Sequence, residues 1–72
     1  MKIERYSKKQ GSKKWELFHK AYFQCEITPS YIKEMAKQEG AYYIILNSKS
    51  LTYYKHFQSY NVKVVYSYAS KK

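Results

Sequence analysis

Aspartate is absent from this chain of 72 residues; the five acidic side chains are Glu4, Glu16, Glu26, Glu34 and Glu39. Without it there is no Ser-His-Asp triad and no Asp-held magnesium, and five scattered glutamates are not the carboxylate cluster of a metal-dependent nuclease. A single cysteine, Cys25, excludes an internal disulfide framework and suits a reducing cytoplasm; it reads as a small buried side chain. His19, Cys25 and His56 are the only soft metal-ligand types, and no pair has zinc-ligand spacing, so no metal is expected. The two glycines, Gly11 and Gly40, stand alone and form no phosphate-cradling loop. With a single proline and abundant aromatics, the composition argues against disorder. No apolar run approaches the ~20 residues of a membrane span. No apolar h-region stands at the N-terminus, so no secretory signal is expected and a cytoplasmic location is. The chain holds no complete catalytic signature, so neither an enzyme nor a cofactor is expected.

What the chain does hold is positive charge and tyrosine. Fourteen Lys and Arg against five acids give a formal net charge of +9. Residues 1–20 carry +5, residues 21–39 carry −1, and residues 40–72 carry +5 with no acid at all. Such an excess repels itself in a small domain, and a polyanionic partner is one way to offset that repulsion. Ten of the 32 apolar residues are tyrosines. A chain this short is one domain, which on folding buries roughly 60% of its unfolded surface. It must therefore place some tyrosines in its core, and Tyr43, Tyr54 and Tyr66 are expected to fill space there.

Residues 2–6 are β-prone, and the polar residues 7–13, with Gly11, carry turn chemistry. Residues 15–23 fit two periods. Trp15, Leu17, His19, Ala21 and Phe23 share a face at period 2, whereas Trp15, Phe18, Tyr22 and Phe23 make a helical stripe; the aromatic content favours a strand, hence a hairpin. Thr28 is a good N-cap, Pro29 suits the first helical position, and Ile27 and Ile32 are spaced as a hydrophobic staple. Ile32, Met35 and Ala36 form an apolar stripe and Gly40 follows, so a helix is predicted near 29–39. The continuous apolar run 41–46 predicts a central strand covered on both faces. Leu51, Tyr54 and Phe57 predict a second short helix ending near Asn61, and residues 62–68 alternate as a strand. The expected fold is a small single α+β domain over 1–70, of order β-β-α-β-α-β. An N-terminal hairpin and a βαβ unit make up a roughly four-stranded sheet carrying two helices, with residues 71–72 a mobile basic tail.

The candidate binding residues follow from charge and aromatics. Lys8, Lys9, Lys13 and Lys14 flank the predicted turn and suit phosphate oxygens. Tyr66 and Tyr68, near Lys63 and Lys71, are candidates for an aromatic-basic surface on which bases could stack.

Two partial resemblances accompany this reading. Residues 1–15, with the run Lys-Lys-Gln-Gly-Ser-Lys-Lys-Trp at 8–15 and Ala21-Tyr22 after it, resemble the start of the arm-type DNA-binding domain of phage and conjugative-element tyrosine integrases. That resemblance implies a hairpin entering a DNA groove, with Arg5, Lys8, Lys9, Lys13, Lys14 and Trp15 at or near the nucleic acid. Residues 32–68 are similar to the C-terminal half of GNAT-superfamily acetyltransferases, without the acyl-CoA loop; the resemblance implies an α-β-α-β unit and places Tyr54 at the family's general-acid tyrosine. The Lys, Tyr and Ile-rich style also resembles small proteins of phages and mobile elements.

The expected function is a non-enzymatic nucleic-acid-binding module, with DNA favoured over RNA, gripping phosphates through the Lys-rich hairpin. The alternative is a small inhibitor or adaptor that docks a Tyr-rich basic surface on an acidic host or defence protein. A homodimer is compatible with either, because a short sheet with an exposed edge gains stability by pairing.

Overall fold

The computed structural model describes residues 1–23 and 27–68. Cys25, Lys71 and the expected basic tail at 71–72 lie outside the described residues. Five strands and one helix follow in order: β1 (Lys2–Lys9), β2 (Glu16–Tyr22), α1 (Pro29–Gln38), β3 (Tyr43–Leu46), β4 (Ser50–Phe57) and β5 (Tyr60–Ser67). The strands form one sheet of order β2-β1-β5-β4-β3, antiparallel at every pairing.

The N-terminal hairpin is present, with residues 16–22 a strand. Its turn closes with the Ser12 amide donating to the Lys9 carbonyl at 3.0 Å. Gly11 there has φ 90°, a conformation that a residue without Cβ adopts freely. A bulge between Arg5 and Tyr6 shifts the β1–β2 register by one residue.

The helix also forms where its caps place it. Thr28 is extended at φ −70°, ψ 149°, and its Oγ1 accepts from the Tyr31 amide at 3.3 Å. At the other end the Gly40 amide donates to the Lys37 carbonyl and the Ala41 amide to the Ala36 carbonyl. Those two bonds are a Schellman motif, and Gly40 at φ 85° supplies its left-handed residue.

The second helix and the βαβ unit are corrected. Residues 50–57 are a strand, joined to β5 by the two-residue turn Gln58–Ser59, so β3, β4 and β5 run as an antiparallel meander with no crossover. Leu51, Tyr54 and Phe57 match a helical spacing by coincidence. The period that wins is 2: Leu51 and Tyr53 are buried, while Thr52, Tyr54 and His56 point the other way. β-branched and aromatic residues fill this stretch and favour the pleat. The run 41–46 is corrected too. It yields the edge strand β3, with Tyr43, Ile45 and Leu46 exposed, and the centre of the sheet belongs to β5. The described residues thus form a five-stranded sheet and one helix, not four strands and two helices.

That helix covers one face only. Ile32 and Ala36 pack onto Ile3, Leu51, Tyr53, Val62, Val64 and Tyr66, and these eight residues are the buried core. Met1, Ala21, Ile27, Ala41, Ile44 and Tyr68 pack around them. Among the described residues no helix lies on the opposite face of the sheet. Among the described residues no helix is long and apolar enough to cross a membrane.

Candidate nucleic-acid interface

The open face is set by register. Residues opposite one another in an antiparallel sheet share a face. Tyr6 of β1 stands opposite Lys63 of β5, Lys63 opposite Tyr54 of β4, and Tyr54 opposite Tyr43 of β3. One rung of four strands therefore reads Tyr-Lys-Tyr-Tyr on the side away from the helix. The next rung places Lys8 opposite Asn61 and Asn61 opposite His56.

Trp15, in the turn before β2, lies over these rungs. The Lys8 Nζ is 4.7 Å and the Lys63 Nζ 5.0 Å from its ring centroid, and Lys63 is also 4.7 Å from the Tyr6 ring. Each such cation–π contact contributes on the order of 0.5–1 kcal/mol near solvent. It also holds a flexible ammonium group in one place. From Trp15 the rings continue across the sheet. Tyr54 is 6.0 Å from Trp15 by centroid, Tyr43 is 5.7 Å from Tyr54, and Tyr42 is 6.5 Å from Tyr54. Tyr42 ends the series stacked on His56, at 4.5 Å and 19°.

Charge on this face is mostly positive. Lys2, Lys8, Lys20 and Lys63 share it by register with one acid, Glu4, which faces Lys2 at 3.9 Å. At the hairpin end, Ser7, Lys8, Lys9, Ser12, Lys14, Glu16 and Tyr60 line a cleft of about 270 Å³. Three ammonium groups and three hydroxyls around one hollow suit a phosphate group, which Glu16 opposes.

The expected site residues divide. Lys8, Trp15 and Lys63 come together on the open face. Lys13 is exposed at the turn, and Lys9 and Lys14 reach the cleft. Arg5 alternates onto the helix side, where its Nη1 donates to His19 Nδ1 at 3.1 Å. Tyr66 is buried, stacked on Tyr53 with centroids 6.3 Å apart, so it offers no surface; it shares the face of Val64, and Lys63 points the opposite way. Burial pushes its hydroxyl pKa up. Tyr68 is half-buried and lines an apolar hollow with Met1, Ile27 and Pro29. Tyr43 and Tyr54, expected as core, are on the open face instead, Tyr43 exposed and Tyr54 half-buried.

Tyr6, Tyr42 and His56 were not among the residues expected here. Tyr54 and His56 were legible in principle: reading 50–57 at period 2 puts Thr52, Tyr54 and His56 opposite the buried pair Leu51 and Tyr53. Tyr42 carries no such signal, because it precedes its strand.

On the helix side, Glu39 Oε1 accepts from Tyr53 Oη at 3.0 Å and from Lys55 Nζ at 2.9 Å. Partial burial raises the Glu39 pKa, but these two bonds and the charges of Lys55 and Arg5 outweigh it and hold the carboxyl below its ordinary value. Among the described residues no group of three or more His, Cys, Asp or Glu could hold a metal ion. Comparison with protein-family models, curated proteins and solved structures finds no match.

Proposed function

We propose that the chain is a non-enzymatic nucleic-acid-binding module that acts through the open face of its sheet, in a reducing cytoplasm. The observation that carries the reading is Trp15 with the ammonium groups of Lys8 and Lys63 within 5.0 Å of its ring. Lysines neutralise phosphates, and rings beside them meet sugars and bases. The hairpin cleft adds lysines at the end of the sheet, where Ser7, Lys9 and Tyr60 share the helix side by register. The arm-type resemblance of residues 1–15 favours DNA and places the same hairpin against it.

Trp15 is the sole tryptophan, so its fluorescence reports the proposed surface directly. Titration with DNA should quench it. The logarithm of the binding constant should fall linearly with the logarithm of salt, with a slope reflecting roughly four to seven phosphates. The double variant Lys8→Ala, Lys63→Ala should weaken binding and reduce that slope by about two, while Lys33→Ala, Lys37→Ala on the helix leaves it unchanged. Affinity independent of salt would overturn the reading and move it towards an acidic or apolar protein partner.

A further inference from the structure

We infer that the open face takes a single strand, whose bases stack on the rings running from Trp15 to His56. This rests on the nucleic-acid reading above and names its ligand class. The rings form one connected series: Trp15 to Tyr54 at 6.0 Å, Tyr54 to Tyr42 at 6.5 Å, and Tyr42 to His56 at 4.5 Å. Tyr42 and His56 lie nearly parallel at 19° and are both exposed, with Tyr42 54% open to solvent. Two polar-edged rings stacked in water leave their outer surfaces free for a third flat ring. In a duplex the flat faces of the bases are covered by their neighbours, so only an unpaired strand can present them to such a platform.

The charge sits where a single strand needs it. Lys8 and Lys63 stand at the Trp15 end of the series, and Tyr6 and Lys63 occupy the same rung as Tyr54 and Tyr43. A nucleotide carries its phosphate and its base on opposite sides of one sugar, so lysines and rings alternating over a sheet match its two ends. Among the described residues no helix projects from this face to enter a groove. The complementarity of charge is also one-sided: Glu4 is the sole acid in register here, and Lys2 faces it.

The test compares single strands with a duplex at constant salt. Labelled oligothymidine and oligouridine of about twelve nucleotides, and a DNA duplex of the same length, are titrated by fluorescence anisotropy. Either single strand should bind at least about tenfold tighter than the duplex. Tyr42→Ala combined with His56→Ala should cut single-strand affinity about tenfold and leave the salt slope and the duplex affinity unchanged. Tyr42→Trp should retain the affinity, which separates stacking from a loss of structure; thermal melts of all variants provide the second check. Equal or tighter binding of the duplex, or an unaffected double alanine variant, overturns the inference. If the duplex wins with a lysine-dependent salt slope, the nucleic-acid reading stands and the single-strand inference falls. If no oligonucleotide binds, both fall.

Discussion

Glu39 ends the helix and receives two donors from the sheet, so one carboxylate ties α1 to β4. The sign of its pH effect follows from its lowered pKa. A carboxyl whose folded pKa is depressed stabilises the fold above its unfolded value, near 4.5, and loses that contribution as the pH falls through the folded one. Glu39→Gln should therefore cost about 1 kcal/mol at neutral pH, a figure held down by solvent screening, and should flatten the acid limb of a stability–pH curve. Tyr53, its neutral partner, behaves oppositely. Burial, then donation to Glu39, pushes its hydroxyl far above the ordinary 10.0. Its contribution is complete below pH 10 and is lost as the pH climbs towards the folded value. Denaturant titrations between pH 9 and 12 should show stability falling in that window, and Tyr53→Phe should remove the part due to this hydroxyl.

At the scale of elements, the β4–β5 hairpin turns on a residue poorly matched to its backbone. Gln58 has φ 59° in a two-residue turn, and a side chain there is strained where glycine is not. Gln58→Gly should raise stability by up to about 1 kcal/mol, measured as a higher denaturant midpoint at unchanged m-value. The same residue explains why the sequence misled. A turn without Gly, Asn or Asp carries no hairpin signal, so residues 51–61 read as one helix despite their period-2 pattern. The helix α1 was legible because Thr28, Pro29 and Gly40 each do chemistry that only a helix end requires. The N-terminal hairpin was legible through Gly11 and its polar flanks. In the site, Lys8, Trp15 and Lys63 were legible as charge and aromatic content. How they meet depends on β1 pairing with β5, which no local pattern sets. Tyr66 fills the core, as one of its two readings has it, and not the surface of the other: alternation sets which tyrosines share a face, but not which face the helix covers.

For the whole molecule, a net charge of +9 on a body 36 × 24 × 17 Å in extent means that the fold and the proposed complex respond to salt in opposite directions. Screening relieves repulsion within the chain while it weakens attraction to phosphates. Raising salt from about 10 mM to about 150 mM should lift the melting temperature by about 4 °C and lower affinity for DNA over the same range. A flat or falling melting temperature would count against self-repulsion as a cost in this domain.

The pairing of β1 with β5 also sets when the recognition surface comes into being. Lys2 stands opposite Ser67 and Lys9 opposite Tyr60, so the first strand finds its central neighbour only in the last. On a ribosome the N-terminal hairpin is complete long before that neighbour has been made. Closing so long a loop delays the decisive contact, and sheets built on distant pairings fold in milliseconds to seconds. Tyr6 and Lys63 share a rung only after that step. A nascent chain halted within β5 carries nearly every lysine and ring of the proposed interface, yet it has no assembled face on which a strand could lie.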